Sequence, residues 1–317
     1  MRNFVCFLLL VFLLSVGSFG QTKSIAITID DLPYASLGPS LSDVYEARQN
    51  IRSILDTLRA HHVPAVAFVN EQKLMVNDQL DMRVGLLEQW LDGGVELGNH
   101  TYSHPNLNKT PLPEFEDEVV KGEVITRRLM KERGKDERYF RHPFLMTGDT
   151  LEHKHEFEAF LKSRGYIVAP VTMENLDWAF NSAYRQAIKD DESGTARKVL
   201  DAYLAQTDID LDYYEKMTQT LFGHPIAHVM LMHSNQVNGM VLDQVLAKFE
   251  ARGYKFITLE EALKDPAYQT ADNYAGPYGY PWEHRWALTL GKDQDLKGAP
   301  DPPKWVWELY KKASGAK

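Results

Sequence analysis

Two adjacent carboxylates, Asp30 and Asp31, follow directly on the apolar run SIAITI (residues 24–29), and His100 and His104 stand four residues apart in HTYSH. On one helical turn, or a tight loop imitating one, two such imidazoles face the same way and chelate one ion. A carboxylate from a neighbouring strand end completes an Asp–His–His set, the three-ligand pattern of a catalytic metal site with a position left for water. Histidines at this spacing also occur on solvated faces; their coincidence with the acidic pair points to metal. Three further places carry acid–base groups: Arg141 after RYF, Asp177 with Trp178 after YIVAPVTMEN, and His233 after HVMLM. Alone, Asp30 reads as a turn cap and Arg141 as an ion-pair partner. Sharing one rim with a metal set gives both a chemical reading.

The segments that must position these groups alternate between strand and helix patterns. After the first strand, SDVYEARQNIRSILDTLRAHH has helical spacing, with Ser42 as its N-cap. VPAVAFVN and VELGNH predict two more strands, separated by the helix MRVGLLEQWLDGG. PEFEDEVVKGEVITRRLMKERG predicts one long amphipathic helix, RYFR a short strand, and YIVAPVTM another. A mostly helical stretch, the strand AHVMLM, a helix and YKFITL follow. About seven strands, each followed by a helix or loop, predict a parallel sheet, and their density favours a distorted (β/α) barrel. All the reactive residues then fall at C-terminal strand ends, where such barrels build their sites.

The N-terminus has Arg2, an unbroken apolar stretch from Phe4 to Leu14, and small residues before Gln21. This predicts a signal peptide over residues 1–20 and export to the periplasm or medium, with membrane contact only in transit. The single cysteine, Cys6, lies inside it, so no disulfide supports the mature chain. A net charge of −9 without a basic run argues against nucleic acid as a partner. Residues 21–264 read as the catalytic domain and 265–317 as an irregular C-terminal extension. Four of the six tryptophans lie in that extension, with Tyr274, Tyr278, Tyr280 and Tyr310. Aromatic faces suit sugar stacking, but the simpler reading is a segment that covers the barrel and buries its rings.

ITIDDLPY, HTYSHPNL, RYFRHPF, NLDW and VMLMHSN, in that order, resemble the five motifs of the polysaccharide deacetylases with a NodB-homology domain (carbohydrate esterase family four). The chain differs from the usual pattern at Ile29, Leu32 and Ser234, where phenylalanine, glycine and aspartate are common. The resemblance implies a NodB-like barrel with Asp31, His100 and His104 as metal ligands and Asp30 as catalytic base. It also implies Arg141 beside that base, His233 as the acid and Asp177 behind it. The peptide N–H of Phe144 would meet the acyl oxygen, and Leu231 and Trp178 would wall an acetyl pocket. Zinc is the expected ion; cobalt, manganese or nickel suit the same ligands. The implied activity is removal of N-acetyl groups from N-acetylated sugars such as peptidoglycan, chitin-like polymers or an exopolysaccharide. O-acetyl esters or other amides are alternative substrates of the same site. A carbohydrate-binding protein without turnover is the rival from another class, and intact Asp30 and His233 argue against it.

Overall fold

The computed structural model describes residues 22–292 and 298–315; the expected signal peptide lies outside them. The first units are β1 (Ser24–Leu32), α1 (Leu41–Ala60), β2 (Ala65–Val69), α2 (Leu80–Asp92) and β3 (Glu96–Asn99). Helices α3 (Leu112–Lys121) and α4 (Val124–Glu132) lead to β4 (Tyr139–Phe140), and α5 (Leu151–Ser163) leads to β5 (Ile167–Val168). Then come β6 (Met173–Glu174), α6 (Asp177–Lys189), α7 (Ser193–Phe222), β7 (Ala227–His233), α8 (Gln236–Ala251), β8 (Lys255–Phe256) and α9 (Leu259–Ala262). The tail carries α10 (Trp282–Thr289) and α11 (Lys304–Ser314).

Seven strands lie in the order β5-β4-β3-β2-β1-β7-β6, and β8 pairs the first two residues of β1 before β2 takes over at Ile27. Every pairing is parallel, and the sheet curls into a half-barrel of the expected (β/α) kind. Period-two alternation sorts the side chains. Ile25, Ile27 and Ile29 of β1 join Ile51, Leu242 and Leu246 in the core between sheet and helices. Ala26 meets Val66, Phe68, Tyr139 and Val229 on the concave side. Both faces of β1 are therefore buried, as parallel strands require.

Three segments of the barrel differ from the sequence reading, and the extension read as irregular carries the helices α10 and α11. YIVAPVTM is two short strands rather than one. β5 pairs β4 at one edge of the sheet and β6 pairs β7 at the other, so residues 169–172 cross the open side. Pro170 in the middle has no N–H for a ladder, while Ala169 N donates to Phe140 O and Thr172 N to Val229 O. The long helix after HTYSH breaks into α3 and α4 at Gly122. A Cβ there would lie 2.6 Å from the Thr101 carbonyl carbon, so the glycine lets the break seat against the histidine loop. Ser40, not Ser42, caps α1, because Asp43 stands at the third helical position and completes a reciprocal capping box.

The tail is tied to the barrel by packing and by charge. Trp286 is buried with Met217, Leu221 and Ile226. Arg285, also buried, donates to Thr147 Oγ1 at 2.6 Å and pairs with Asp272, which Lys154 reaches at 2.8 Å. Deleting residues 265–317 should accordingly expose the α7 apolar face and lower the melting temperature or solubility. An equally stable, soluble truncation in a thermal melt would contradict this.

Candidate active site

Of the reactive groups that lie on or directly after a strand, each is the next concave-face position, with one exception; His104 stands in the loop after β3, and Asp177 opens α6. Asp30 follows Ala26 and Thr28, and stands opposite His233 in the β1–β7 register. His233 follows Val229 and Leu231, His100 follows Gly98, and Arg141 follows Tyr139. Asp31 is the exception, since the next residue of a regular strand points the other way. Between Ile29 and Leu32 β1 takes three steps while β2 takes two, from Ala67 to Val69, and Asp31 has φ of 71°. This one-residue bulge turns its carboxylate back to the rim.

Ligand atoms of Asp31, His100 and His104 lie within 4.8 Å of one another. His100 Nδ1 lies 2.8 Å from the Arg141 carbonyl, which fixes that nitrogen as the donor and leaves the Nε2 lone pair for an ion. Two imidazoles and a carboxylate are the donors of an open catalytic zinc site, and Asp30 Oδ1 beside them is buried without a donor among the described residues. The residues fit a divalent cation.

Arg141 is fully buried, and its head reaches three acceptors. Nε donates to Ala169 O at 2.9 Å, Nη2 to Thr28 Oγ1 at 2.8 Å, and Nη1 lies 3.5 Å from Asp30 Oδ2. Burial pushes the Asp30 carboxyl up to about 6, and Arg141 opposes that rise. Burial would push Asp31 up as well, yet Lys73, His104 and His233 hold it well below the usual carboxylate range. Lys73 Nζ donates to the Asp31 carbonyl at 2.8 Å and stands 3.4 Å from Oδ1.

On the opposite side, His233 Nδ1 lies 2.7 Å from Asp177 Oδ1. Asp177 Oδ2 accepts from His233 N, Asn235 Nδ2 and Asn238 Nδ2 at 2.8, 2.8 and 2.6 Å. Burial disfavours the imidazolium, but Asp177, with Asp31 and Asp30 behind it, raises His233 to about 9.

These groups open into a cavity of about 450 Å³. Leu231 packs with Leu145 and Val171 at its apolar wall. Phe144 sits in a left-handed turn, φ 56°, with its ring 4.4 Å from that of His104. Trp178 lines the cavity beside Tyr310 of α11, their rings 5.3 Å apart. All ten sequence-derived site residues thus gather at one rim. Sequence reading missed Lys73, Glu174, Asn235, Asn238 and the tail's Gly279 and Tyr310. The asparagines carry a cap signature, since Asn235 Oδ1 accepts from Asn238 N at the start of α8. Gly279 has none: a Cβ there would fall 1.7 Å from the Phe144 carbonyl oxygen, a closeness only the fold reveals.

The family model described as Polysaccharide deacetylase matches residues 19–159, the stretch holding both aspartates, both metal-set histidines and Arg141. Over those residues the chain is similar to the polysaccharide deacetylase family. Among curated relatives, a peptidoglycan-N-acetylglucosamine deacetylase of Bacillus cereus is 23% identical over 77% of this chain and 69% of its own length. A peptidoglycan-N-acetylglucosamine deacetylase of Listeria monocytogenes is 22% identical over 75% of this chain, which spans only 38% of that relative. In fold, the chain is similar to the chitin deacetylase of Colletotrichum lindemuthianum, with TM-score 0.52, 20% identity, and coverage of 78% of this chain and 90% of that one. It is similar too to a carbohydrate esterase family 4 pseudoenzyme from Bacillus anthracis, with TM-score 0.50, 19% identity, and coverage of 77% and 66%.

Proposed function

We propose that this deacetylase-family chain is an exported, metal-dependent hydrolase that removes N-acetyl groups from sugars of a glycan. One observation carries the reading: the buried Asp30–Arg141 pair and the His233–Asp177 pair face each other across the cavity that holds Asp31, His100 and His104. Asp31, His100 and His104 would hold the ion, with zinc the first choice. When bound, a divalent cation supplies Lewis acidity toward water and the acyl oxygen. Asp30 accepts the proton of the attacking water, and Arg141 keeps that carboxylate oriented. The acetyl methyl rests on Leu231, Leu145 and Val171, and Trp178 walls the sugar side. The Phe144 N–H donates to the oxygen on which charge develops. An amine is a poor leaving group until protonated, and His233, charged through Asp177, delivers the proton. Acetate and the free amino sugar leave. A binding protein without turnover needs neither of the two ion pairs, so their integrity argues against a pseudoenzyme. The apolar stretch at residues 4–14 and the cationic Arg2 support export.

The deciding experiment measures acetate release from a panel of N- and O-acetylated glycans by protein loaded with zinc, cobalt, manganese or nickel. The expected result is about one bound ion per chain by elemental analysis, release from N-acetylated sugars, and loss of both on chelation. Full activity in chelator with no bound ion would refute metal dependence; release from esters alone would make the protein an esterase.

A further inference from the structure

The reaction pocket holds one acid that the chemistry above does not use. Glu174 ends β6, stands in register with Leu231 of β7, and lines the pocket within reach of the charges on His233 and Asp177. The other carboxylates of the site each have a cation: Asp30 has Arg141, Asp31 has Lys73 and Asp177 has His233. Glu174 is half-buried and has no hydrogen bond or ion pair among the described residues. A cavity of about 330 Å³ continues past it and adds Asp210 of α7, buried, whose Oδ2 is unpartnered among the described residues. We propose that Glu174 is a specificity-determining residue: its carboxylate, with Asp210 behind it, makes the site select neutral N-acetylated sugars and reject sugars that carry a carboxylate. The inference rests on the sugar-deacetylase reading above and narrows its substrate class.

An ionised carboxylate only accepts hydrogen bonds. The hydroxyls of a neutral sugar donate to it, whereas a substrate carboxylate offers no donor and is repelled in a pocket where water screens weakly. Specificity of this kind comes from an unfavourable contact with the wrong ligand as much as from a favourable one with the right ligand. A bound dication attracts anions in general, so rejection of an anionic sugar has to come from a local acid. The lining leaves that acid unopposed. No lysine or arginine lines either cavity among the described residues, and His284 of the tail is held neutral, since burial pushes it down to about 4. Burial pushes Glu174 up to about 7, with His233 opposing the rise and Asp177 adding to it. From α7 it faces Asp210, also raised to about 7 by burial, and the Tyr214 hydroxyl, which burial keeps protonated. The rejection therefore weakens as pH falls through about 7 and both acids take up protons.

The test measures kcat/KM for acetate release from chitotetraose and from its C6-oxidised counterpart, whose rings carry carboxylates. It uses the full metal-loaded chain and the variants Glu174→Gln and Glu174→Asp. The native chain should favour the neutral substrate by at least about tenfold at about pH 8, and by at least about threefold less at about pH 6. Glu174→Gln should bring the ratio down at the higher pH to the value at the lower, while Glu174→Asp, which keeps the charge, should preserve it. Circular dichroism checks that the variants fold, and the pH arm on the native chain needs no variant. A native ratio near one, or a ratio that Glu174→Gln leaves unchanged, overturns the assignment. Calorimetric binding of the same two sugars separates the two readings: charge-sensitive binding without acetate release refutes the reaction and leaves the selection standing. Absence of both binding and release with either sugar refutes both.

Discussion

Asp30→Asn should keep its metal and lose turnover by about 10²–10⁴-fold, the usual worth of a positioned general base. Asp31→Asn should instead lose the ion, beyond the roughly 10–100-fold affinity cost of removing an outer-shell partner. The two acids are neighbours in sequence with separate tasks, and the bulge is what separates them. Asp30 keeps the regular concave-face position, buried beside Arg141; Asp31, turned by its left-handed backbone, faces His104 and Lys73. Metal titrations and rates on the two variants decide it. If Asp30→Asn empties the site while Asp31→Asn keeps it filled, the roles are reversed.

His233→Ala should keep the ion and lose about 10²–10⁴-fold in amide hydrolysis, with a smaller loss on esters whose leaving groups need no proton. The pH profile tests the same assignment through its neighbour. Asp30 acts ionised, and burial raises its carboxyl to about 6, so activity falls as pH drops through that value. His233 acts protonated at about 9, so activity falls again as pH rises through it. A bound dication draws both limbs to lower pH. Asp177→Asn removes the charge that supports the imidazolium and leaves the burial that opposes it, so the alkaline limb should move toward neutrality, while the acid limb, on which Asp177 acts only weakly through Asp30, falls slightly. An unmoved alkaline limb would show that the departing amine takes its proton elsewhere.

Most of this site could be read from the chain because period-two strands carry their polar residues to one rim. Once β1, β3, β4 and β7 are recognised, Asp30, His100, Arg141 and His233 follow as the concave positions where the apolar pattern ends. The bulge at Asp31 was not legible, since nothing in IDDLP distinguishes a regular strand end from one with an extra residue. YIVAPVTM misleads for a related reason: it is apolar but for Thr172, and the crossing from one sheet edge to the other is a property of pairing, not of pattern. Lys73 was hidden because its partner Asp31 is remote in sequence, and Glu174 because only the pairing of β6 with β7 brings it to the pocket. The tail's double use, with Trp286 in the core and Tyr310 at the pocket, depends on where two helices dock, which aromatic content alone does not encode.

The crossing segment also bears on how the molecule avoids its own copies. A half-barrel has two free margins, and a free margin is a template on which another chain can add a strand. Here the outermost strands, β5 and β6, are only two residues long, and the peptide between them spends Ala169 N on Phe140 O and Thr172 N on Val229 O. Trp282 N then takes the carbonyl of Val171 at 2.6 Å, so the tail caps the same stretch. An open sheet is thereby left without a length of backbone long enough to recruit a neighbour, and the tail that walls the pocket doubles as a guard against aggregation.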